Sequence, residues 1–432
     1  MEKILQYIWE HRLWNSPRMK TVDGRRLLVL DQGCLNNGSG PDFFNAKIRL
    51  DDSVWSGDVE IHVKASDWYR HNHDSDNSYK SVILHVVAKD DAQVNIPGTQ
   101  EPIPQLRLNF TEKLRDKFRS LVDNAPDILP CTADLHTLDS IKITDWITSL
   151  AFERLIAKSE RIESLLQQTV FDWEEVCYIT LARALGTGTN GEPFERLAKS
   201  VPLRVLRKHA DNLLSIESII FGQAGLLDNE INGNEYYSRL RDEYRFMAVK
   251  FGLNAPPNLN WKMGRMRPAN FPHRRIALLC AYIKGGFNLM SKLIEAKTLE
   301  AVRECLNREL TGYWATHFNF GGYESTVRTN MSASTIDSLI INVAVPMIYT
   351  YGNCHLSGRD ADEYMERAVE WLQQLNAEKN HITVLFSNSG IKCENAFMSQ
   401  AIIQLRRNYC EARKCIYCRF GHRILAKEVM LG

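Results

Sequence analysis

The spacing of apolar residues changes near residue 139, and this change constrains the fold more than any other feature of the sequence. Before it, short apolar runs with a period near two alternate with turn-forming clusters such as "NNGSG" and "HNHDSDNS", a pattern typical of β-strands. After it, in "DSIKITDWITSLAFERLIAKSERIESLLQQ" and several later stretches, the period is near 3.6, which predicts amphipathic helices. The chain is therefore expected to join a β-containing N-terminal part to a larger helical part.

The N-terminal part is predicted to begin with a helix over about residues 2–13 and to continue into a mainly β layer. Five β-type runs follow the helix: "RLLVLDQG", "DFFNAKIRL", "VWSGDVEIHVKA", "SVILHVVAKD" and "PIPQLRLNF". A second helix with Thr111 as its N-cap is expected in "TEKLRDKFRSLVDNAPD". We therefore predict an α/β domain over residues 1–130 and an α-helical domain, with a cysteine cluster near its C-terminus, over residues 131–432.

Charge and hydropathy narrow the classes of function. The net charge of +1 restricts any nucleic-acid surface to a local patch. The N-terminal segment "MEKILQYIWEHRLW" contains acidic residues and no apolar signal-peptide core, which predicts a cytoplasmic protein. The most apolar run, Leu339–Tyr349, is shorter than the roughly 20 residues that span a bilayer, so we expect a buried helix or strand and no membrane association.

A row of polar residues follows one face of the third β-type run. In "GDVEIHVK", alternation places Asp58, Glu60, His62 and Lys64 on one face and apolar residues on the other. Asp42, in "GSGPDF", lies at the turn into the preceding strand. Two carboxylates on neighbouring strands can hold Mg²⁺ or Mn²⁺, and such a metal activates water and stabilises charge at a phosphoryl centre. The alternative is a turn aspartate beside a solvated strand face.

The same residues resemble a nuclease signature. Pro41-Asp42 followed eighteen positions later by Glu60-Ile61-His62 resembles the PD-(D/E)xK motif of restriction-endonuclease-like nucleases. The resemblance implies a mixed sheet with flanking helices, Asp42 and Glu60 as Mg²⁺ or Mn²⁺ ligands, and cleavage of phosphodiester bonds in DNA or RNA. It also implies that His62 occupies the position usually held by a catalytic lysine. Lys64 is an alternative source of the positive charge that this lysine supplies.

The whole chain also resembles a family of unknown function found chiefly in Bacteroidetes. The resemblance lies in "GPDFFNA", "GDVEIH", "SDWYRHNH", "RPANFPHRRI" and the C-terminal "YCEARKCIYC". It spans nearly the full length and implies no particular activity.

Four histidines lie close together in the sequence. His62, His71, His73 and His85 fall within 24 residues. The H-x-H pair in "HNHDSD" could bind Zn²⁺ with Asp76, which defines a second hypothesis, a zinc hydrolase using His71, His73 and Asp76. The histidines could instead line a nuclease cleft and contact phosphate, or belong to a solvated loop, which the many Asn, Asp and Ser residues of this segment favour.

Three of the ten cysteines cluster near the C-terminus. Cys410, Cys415 and Cys418 have the spacing C-x₄-C-x₂-C, with His422 four residues later. A Cys₃His set suits structural zinc, and four thiolates would suit zinc or an iron–sulfur cluster. The fourth ligand is therefore left open between His422, Cys393 and Cys354. The alternative is that these cysteines simply pack as small apolar residues.

Two local excesses of basic residues predict contacts with phosphates. The candidate nucleic-acid contacts are Arg265, Arg267, Arg274, Arg275, Arg406, Arg407, Arg413 and Lys414. Each stretch could equally be a solvated face or a set of ion-pair partners. A non-catalytic scaffold protein with a nuclease-like fold that binds nucleic acid or protein is therefore an alternative to the enzyme. The feature that supports this alternative is His62, which stands where the motif usually has a lysine.

Overall fold

The structure is a computed structural model that describes residues 2–14, 19–36, 38–108, 110–122, 129–228, 234–322, 324 and 328–430. The strands in these residues are β1 Met19–Lys20, β2 Arg26–Asp31, β3 Cys34–Leu35, β4 Phe43–Leu50, β5 Ser53–Lys64, β6 Val82–Lys89 and β7 Gln105–Arg107. The helices are α1 Glu2–Glu10, α2 Asp67–Arg70, α3 Glu112–Val122, α4 Thr132–Leu135, α5 Ser140–Gln168, α6 Trp173–Leu185, α7 Thr187–Ser200, α8 Leu203–Arg207, α9 Leu213–Gln223, α10 Glu235–Phe251, α11 Pro272–Ile283, α12 Leu289–Glu295, α13 Leu299–Leu306, α14 Ala333–Leu339, α15 Val345–His355, α16 Gly358–Gln374, α17 His381–Asn388, α18 Ala396–Leu405 and α19 Arg419–Met430. Short 3₁₀ turns cover His73–Ser75, Asn77–Tyr79, Pro268–Asn270, Gly312–Ala315 and Cys415–Tyr417, and π-helical turns cover Ile340–Ala344 and Arg406–Cys410.

The N-terminal strands form one mixed sheet, as the apolar period predicts. Its order is β1-β2-β4-β5-β6-β7, with β3 paired to β4. The pairs β2–β4 and β4–β5 are antiparallel, whereas β5–β6 and β6–β7 are parallel. The parallel pairing requires residues 65–81 to carry the chain back across the sheet before β6 begins. A mixed sheet followed by a larger helical part is thus confirmed, and so is the cap of α3, where the Leu114 N–H donates to the Thr111 hydroxyl (3.2 Å).

Residues 58–62 of strand β5 are buried on both faces, which argues against the solvated strand face that the sequence left open as an alternative. Val59 and Ile61 belong to the hydrophobic core on one side. On the other side Glu60 is 5% exposed and His62 is 1% exposed. Lys64, at the end of the strand, is exposed. Asp58, Glu60 and His62 of the polar row therefore lie in the protein interior, where each of these groups needs a partner.

The N-terminal sheet shares its core with a segment from the far end of the sequence. Leu5 of α1 and Leu121 of α3 pack in one cluster with Ile424 and Leu425 of α19. The chain accordingly divides into a first unit, formed by residues up to 146 together with 385–391 and 405 onward, and a second unit formed by 147–384 and 392–404. This division differs from the predicted boundary at residue 130, because the apolar face of α19 completes the core beneath the sheet.

The second unit is helical, and its longest apolar segment is continuous. Helix α14, the π-helical turn Ile340–Ala344 and α15 run without a break from Ala333 to His355. Among the described residues this is the one helix long and apolar enough to cross a membrane, with a mean hydropathy of 1.3, and 56% of its most apolar window is buried. The segment is longer than the predicted run, and its burial is that of a core helix.

Gly33 is expected to be needed for β3 to lie against β4. Its φ is +83°, and a Cβ there would lie 2.4 Å from the Phe44 carbonyl oxygen, whereas Gly24, with φ of +90°, has open space around it. Gly24→Ala should cost about 1–2 kcal/mol of unfolding free energy from backbone strain alone. Gly33→Ala should cost about 1–3 kcal/mol more because of the clash. Urea unfolding curves of the two variants test this, and equal midpoints would contradict it.

Candidate metal centre

Asp42 and Glu60 are held together across the β4–β5 pair. The Asp42 N–H donates to Glu60 Oε2 (3.0 Å), and the Ile61 N–H donates to Asp42 Oδ2 (3.0 Å). Gln6 Nε2 on α1 donates to Asp42 Oδ1 (2.9 Å). The turn at Pro41 thus delivers Asp42 to the middle of β5, and both Asp42 oxygens accept hydrogen bonds from the protein.

Two imidazoles contact the remaining oxygen of Glu60, and a third contacts one of those two. His62 lies two residues further along β5, and its Nε2 is 3.4 Å from Glu60 Oε1. His73 Nε2 is 3.3 Å from the same oxygen, and His71 Nδ1 is 3.1 Å from His62 Nε2. Between the two loop histidines Asn72 adopts the left-handed conformation (φ 59°), which folds this segment back so that both rings meet the strand.

These separations match the geometry of a metal centre. One ligand atom from each of His62, His71 and His73 lies within 4.8 Å of the other two. Tetrahedral ligand atoms at about 2.0–2.1 Å from a zinc ion would lie about 3.3 Å apart. The observed contacts of 3.1–3.4 Å around Glu60 and His62 are close to that edge length, so the three histidines can hold a divalent transition metal, with Glu60 Oε1 next to two of them.

A second layer of side chains fixes the orientation of the histidines. His62 Nδ1 and His85 Nε2 are 2.9 Å apart and share a hydrogen bond, and His85 Nδ1 lies 3.4 Å from Gln105 Nε2. The His73 ring stacks on Tyr79, with ring centroids 3.8 Å apart, and Trp68 packs edge-on against both rings. Hydrogen-bond partners of this kind orient metal-ligating histidines.

Burial shifts the carboxyl groups and His62 of this centre towards their neutral forms. Burial, reinforced by the charge of Glu60, raises the pKa of Asp42 to about 7, and burial raises the pKa of Glu60 to about 8. Burial, with repulsion from His73 and His71, lowers the pKa of His62 to about 3. His62 is therefore a neutral imidazole near pH 7, and a bound cation would favour the ionised form of Glu60.

One side of the centre is open to solvent. His71 is exposed, and the Arg70 guanidinium lies beside it, with Nη2 3.4 Å from His71 Nε2. Asp67 Oδ1 lies 3.1 Å from the same Arg70 Nη2 atom, and the Arg70 side chain is 69% exposed. A ligand entering from solvent would therefore meet one imidazole and one guanidinium.

The structure separates Asp76 from the predicted zinc set. Asp76 is exposed and accepts hydrogen bonds from the N–H (2.9 Å) and hydroxyl (2.7 Å) of Ser78, which caps a 3₁₀ turn. His71 and His73 instead meet Glu60 and His62. The grouping of His71 and His73 with Asp76 is therefore corrected, because the aspartate is used in the local turn.

The magnesium site implied by the nuclease resemblance fits these residues poorly. Both Asp42 oxygens and Glu60 Oε2 accept protein hydrogen bonds, which leaves Glu60 Oε1 as the oxygen that faces the imidazoles. Mg²⁺ prefers an oxygen-only, near-octahedral set, whereas imidazole ligands suit zinc, iron and similar metals. The donor set therefore fits a transition metal better than Mg²⁺.

The C-terminal cysteines meet a partner that sequence reasoning missed. Cys410, Cys415 and Cys418 line one pocket together with Cys131. His422, the predicted fourth ligand, does not line it: His422 Nδ1 shares a hydrogen bond with the Tyr7 hydroxyl (2.8 Å). Cys393 and Cys354 belong to the second unit. No local pattern marks Cys131, which is an isolated cysteine in the sequence.

Three of the predicted phosphate contacts are buried. Arg274 donates to the carbonyl oxygens of Trp314 (2.9 Å) and Arg328 (2.8 Å), Arg275 donates to Asn270 Oδ1 (2.6 Å), and Arg406 pairs with Glu411 (3.3 Å). Their prediction as nucleic-acid contacts is corrected, because these three arginines are buried and their guanidinium groups are paired with groups of the protein. The exposed members of the predicted set are Arg265, Arg267, Arg407, Arg413 and Lys414.

Comparison with known proteins identifies the family. The model of the family described as "Protein of unknown function (DUF2851)" matches residues 2–381, so the chain belongs to this family. No curated protein and no solved structure matches the chain. The resemblance of the whole chain to an uncharacterised family is thus confirmed, and these comparisons give no support to the nuclease superfamily.

Removing one ligand is expected to abolish tight metal binding at the histidines. His73→Ala and Glu60→Gln should each weaken Co²⁺ binding by more than the 10–100-fold typical of second-layer changes. The measurement is a Co²⁺ titration of metal-free protein, followed by visible ligand-field absorption without thiolate charge-transfer bands. His136→Ala, an exposed histidine of the same unit, is the control. Unchanged titrations of His73→Ala and Glu60→Gln would contradict the assignment.

Proposed function

We propose that this member of the DUF2851 family is a metal-dependent hydrolase of phosphodiester bonds in DNA or RNA. Its metal ligands are Glu60, His62, His71 and His73. The observation that carries the proposal is the grouping of the three imidazoles, whose ligand atoms lie within 4.8 Å of one another, beside Glu60 Oε1, which lies 3.4 Å from His62 and 3.3 Å from His73.

Metal-dependent hydrolysis suits the chemistry of this donor set. A divalent cation bound there would lower the pKa of a coordinated water and polarise a phosphoryl oxygen. Glu60 supplies the one anionic ligand, and the Asp42 N–H holds its second oxygen at 3.0 Å. Asp42 is itself fixed by Gln6 and Ile61, so we assign Asp42 a positioning role rather than a ligand role.

The order of elements supports a phosphodiester substrate. Helix α1 precedes an antiparallel series, β2, β4 and β5, and a crossover then leads to the parallel strand β6. Asp42 at the start of the second strand of that series and Glu60 within the third are the positions that the nuclease resemblance implies. The sheet topology and the motif are therefore mutually consistent, although the metal set contains histidines in place of a second carboxylate and a lysine.

Exposed cations of the first unit offer contacts for a phosphate backbone. Arg70 lies next to His71 at the open side of the centre, and guanidinium groups pair well with phosphate oxygens. Arg407, Arg413 and Lys414 are exposed residues of the same unit. Together they form the nucleic-acid contacts of the proposal, with Arg70 nearest to the metal.

A zinc hydrolase that acts on another class of substrate is the second candidate. The imidazole-rich donor set favours it, because three histidines with one carboxylate suit Zn²⁺ at least as well as Mn²⁺. It shares the metal ligands of the main proposal and differs in the bond that is cleaved. Activity on an aryl acetate ester, without cleavage of nucleic acid or of bis(p-nitrophenyl) phosphate, would favour this candidate.

Nucleic-acid cleavage should depend on the metal and on its ligands. Labelled single- and double-stranded DNA and RNA are incubated with wild type, Glu60→Gln and His73→Ala in Mn²⁺, Zn²⁺, Mg²⁺ or chelator. Each variant should lose at least about 100-fold in rate, since metal stabilisation is worth several kcal/mol. Glu112→Gln and His136→Ala, both exposed in the same unit, should cleave like wild type. Binding of nucleic acid without cleavage under any condition would favour the non-catalytic scaffold.

Arg70→Ala should weaken substrate binding without removing the metal. We expect a raised KM with a smaller effect on kcat, and a salt dependence of binding reduced by about one phosphate contact. Co²⁺ affinity should stay at the wild-type level, because Arg70 is not a ligand. Arg26→Ala, an exposed arginine on β2 with a 74% exposed side chain, is the matched control. Equal KM values for the two variants would remove Arg70 from the substrate site.

A further inference from the structure

Four cysteines from distant parts of the sequence meet in the first unit. Cys131 directly precedes α4, and Cys410 ends the π-helical turn Arg406–Cys410. Cys415 begins the last 3₁₀ turn, and Cys418 directly follows it. All four side chains line a single pocket, and all four cysteines are free of disulfide bonds.

The rest of this pocket is apolar. Its lining includes Leu121, Phe386, Leu405 and Phe420. Thiols gathered in such a lining can pack as small apolar groups, but the same arrangement also shields a thiolate-bound metal from water and competing ligands. The question is whether the pocket contains features that packing alone does not explain.

Burial raises the pKa of each of the four thiols, and for three of them the neighbouring thiols raise it further. Burial raises the pKa of Cys131 to about 12, with a further rise from Cys418 and Cys415, and burial raises the pKa of Cys415 to about 11, with a contribution from Cys418. Burial likewise raises the pKa of Cys410, which also interacts with the other three thiols. The four thiols are therefore neighbours within the pocket.

Two backbone groups are directed at one of the sulfurs. Burial raises the pKa of Cys418, while hydrogen bonds from the N–H groups of Gly421 and Phe420 act in the opposite direction. These donors lie in the first turn of α19, where free N–H groups and the helix dipole favour a thiolate. Gly421 permits the Cys415 carbonyl oxygen to lie close to the backbone of α19, because a Cβ at residue 421 would lie 2.0 Å from that oxygen.

Four thiolates suit two kinds of centre. A single zinc ion binds four sulfurs at about 2.3 Å each, and an iron–sulfur cluster is held by the same number of cysteines. The metal and sulfide content of the protein distinguishes these two occupants.

We propose that Cys131, Cys410, Cys415 and Cys418 are the four ligands of a thiolate-bound metal centre in the first unit. The inference is independent of the activity proposed for the histidine centre. It assigns the fourth ligand to Cys131 rather than to His422, Cys393 or Cys354, and four cysteine ligands suit an iron–sulfur cluster as well as a single zinc ion.

The test is the metal content of protein expressed with added iron and purified without oxygen. Wild type should contain either iron with acid-labile sulfide and visible charge-transfer absorption, which identifies an iron–sulfur cluster, or zinc without sulfide, which identifies a single-ion centre with the same four ligands. The content of this metal in Cys131→Ser should be at least about 10-fold lower than in wild type. The variants Cys354→Ser, Cys393→Ser and His73→Ala, the last of which changes the histidine site, should retain the wild-type content. Wild type without cysteine-bound metal, or full retention in Cys131→Ser, would overturn the proposal.

A second measurement on wild type guards against a variant that fails to fold. The native protein is alkylated before and after removal of metal by a chelator, and modified cysteines are identified by mass spectrometry. Cys131, Cys410, Cys415 and Cys418 should become reactive together on chelation. Cys177 and Cys280, which are fully buried in the second unit, should stay unreactive in both states. Reactivity of the four cysteines that is the same with and without chelator would count against the centre.

Discussion

Residues 58–62 of strand β5 are buried on both faces, and the organisation of the first unit around them follows from that constraint. Val59 and Ile61 fill the core on one side, so Glu60 and His62 project into the interior on the other. Buried polar groups are costly unless they are paired. Gln6 anchors Asp42 from α1, and the crossover brings two histidines to the same place. The elements around β5 are thus arranged to satisfy its polar row.

Much of this could be predicted from the sequence, because the relevant signals are local. The change of apolar period predicts the sheet and the helical part, and Thr111 predicts the cap of α3. The turn before Asp42 and the alternation in β5 bring Asp42 and Glu60 to neighbouring positions. Neither pattern indicates that both carboxylate oxygens of Asp42 accept hydrogen bonds from the protein. One of the two donors, Gln6, belongs to a helix and lies 36 residues away in the sequence.

The remaining features depend on contacts that no short pattern encodes. His71 and His73 meet the strand because Asn72 takes a left-handed conformation, which asparagine tolerates better than most residues but does not require. Arg274 looked like a surface cation, yet it donates to interior carbonyl oxygens. Cys131 joins cysteines that follow it by nearly 280 residues, and only the tertiary fold relates them. Local rules fail here because long-range packing decides which polar groups are used.

The packing of Ile424 and Leu425 beneath the sheet has a consequence for biosynthesis. During translation the sheet of the first unit emerges long before α19, and the intervening residues of the second unit are made in between. Domains usually fold in the order in which they leave the ribosome. Here the second unit has all its residues before the first unit can complete its core, so the nascent sheet must wait with part of its apolar face uncovered.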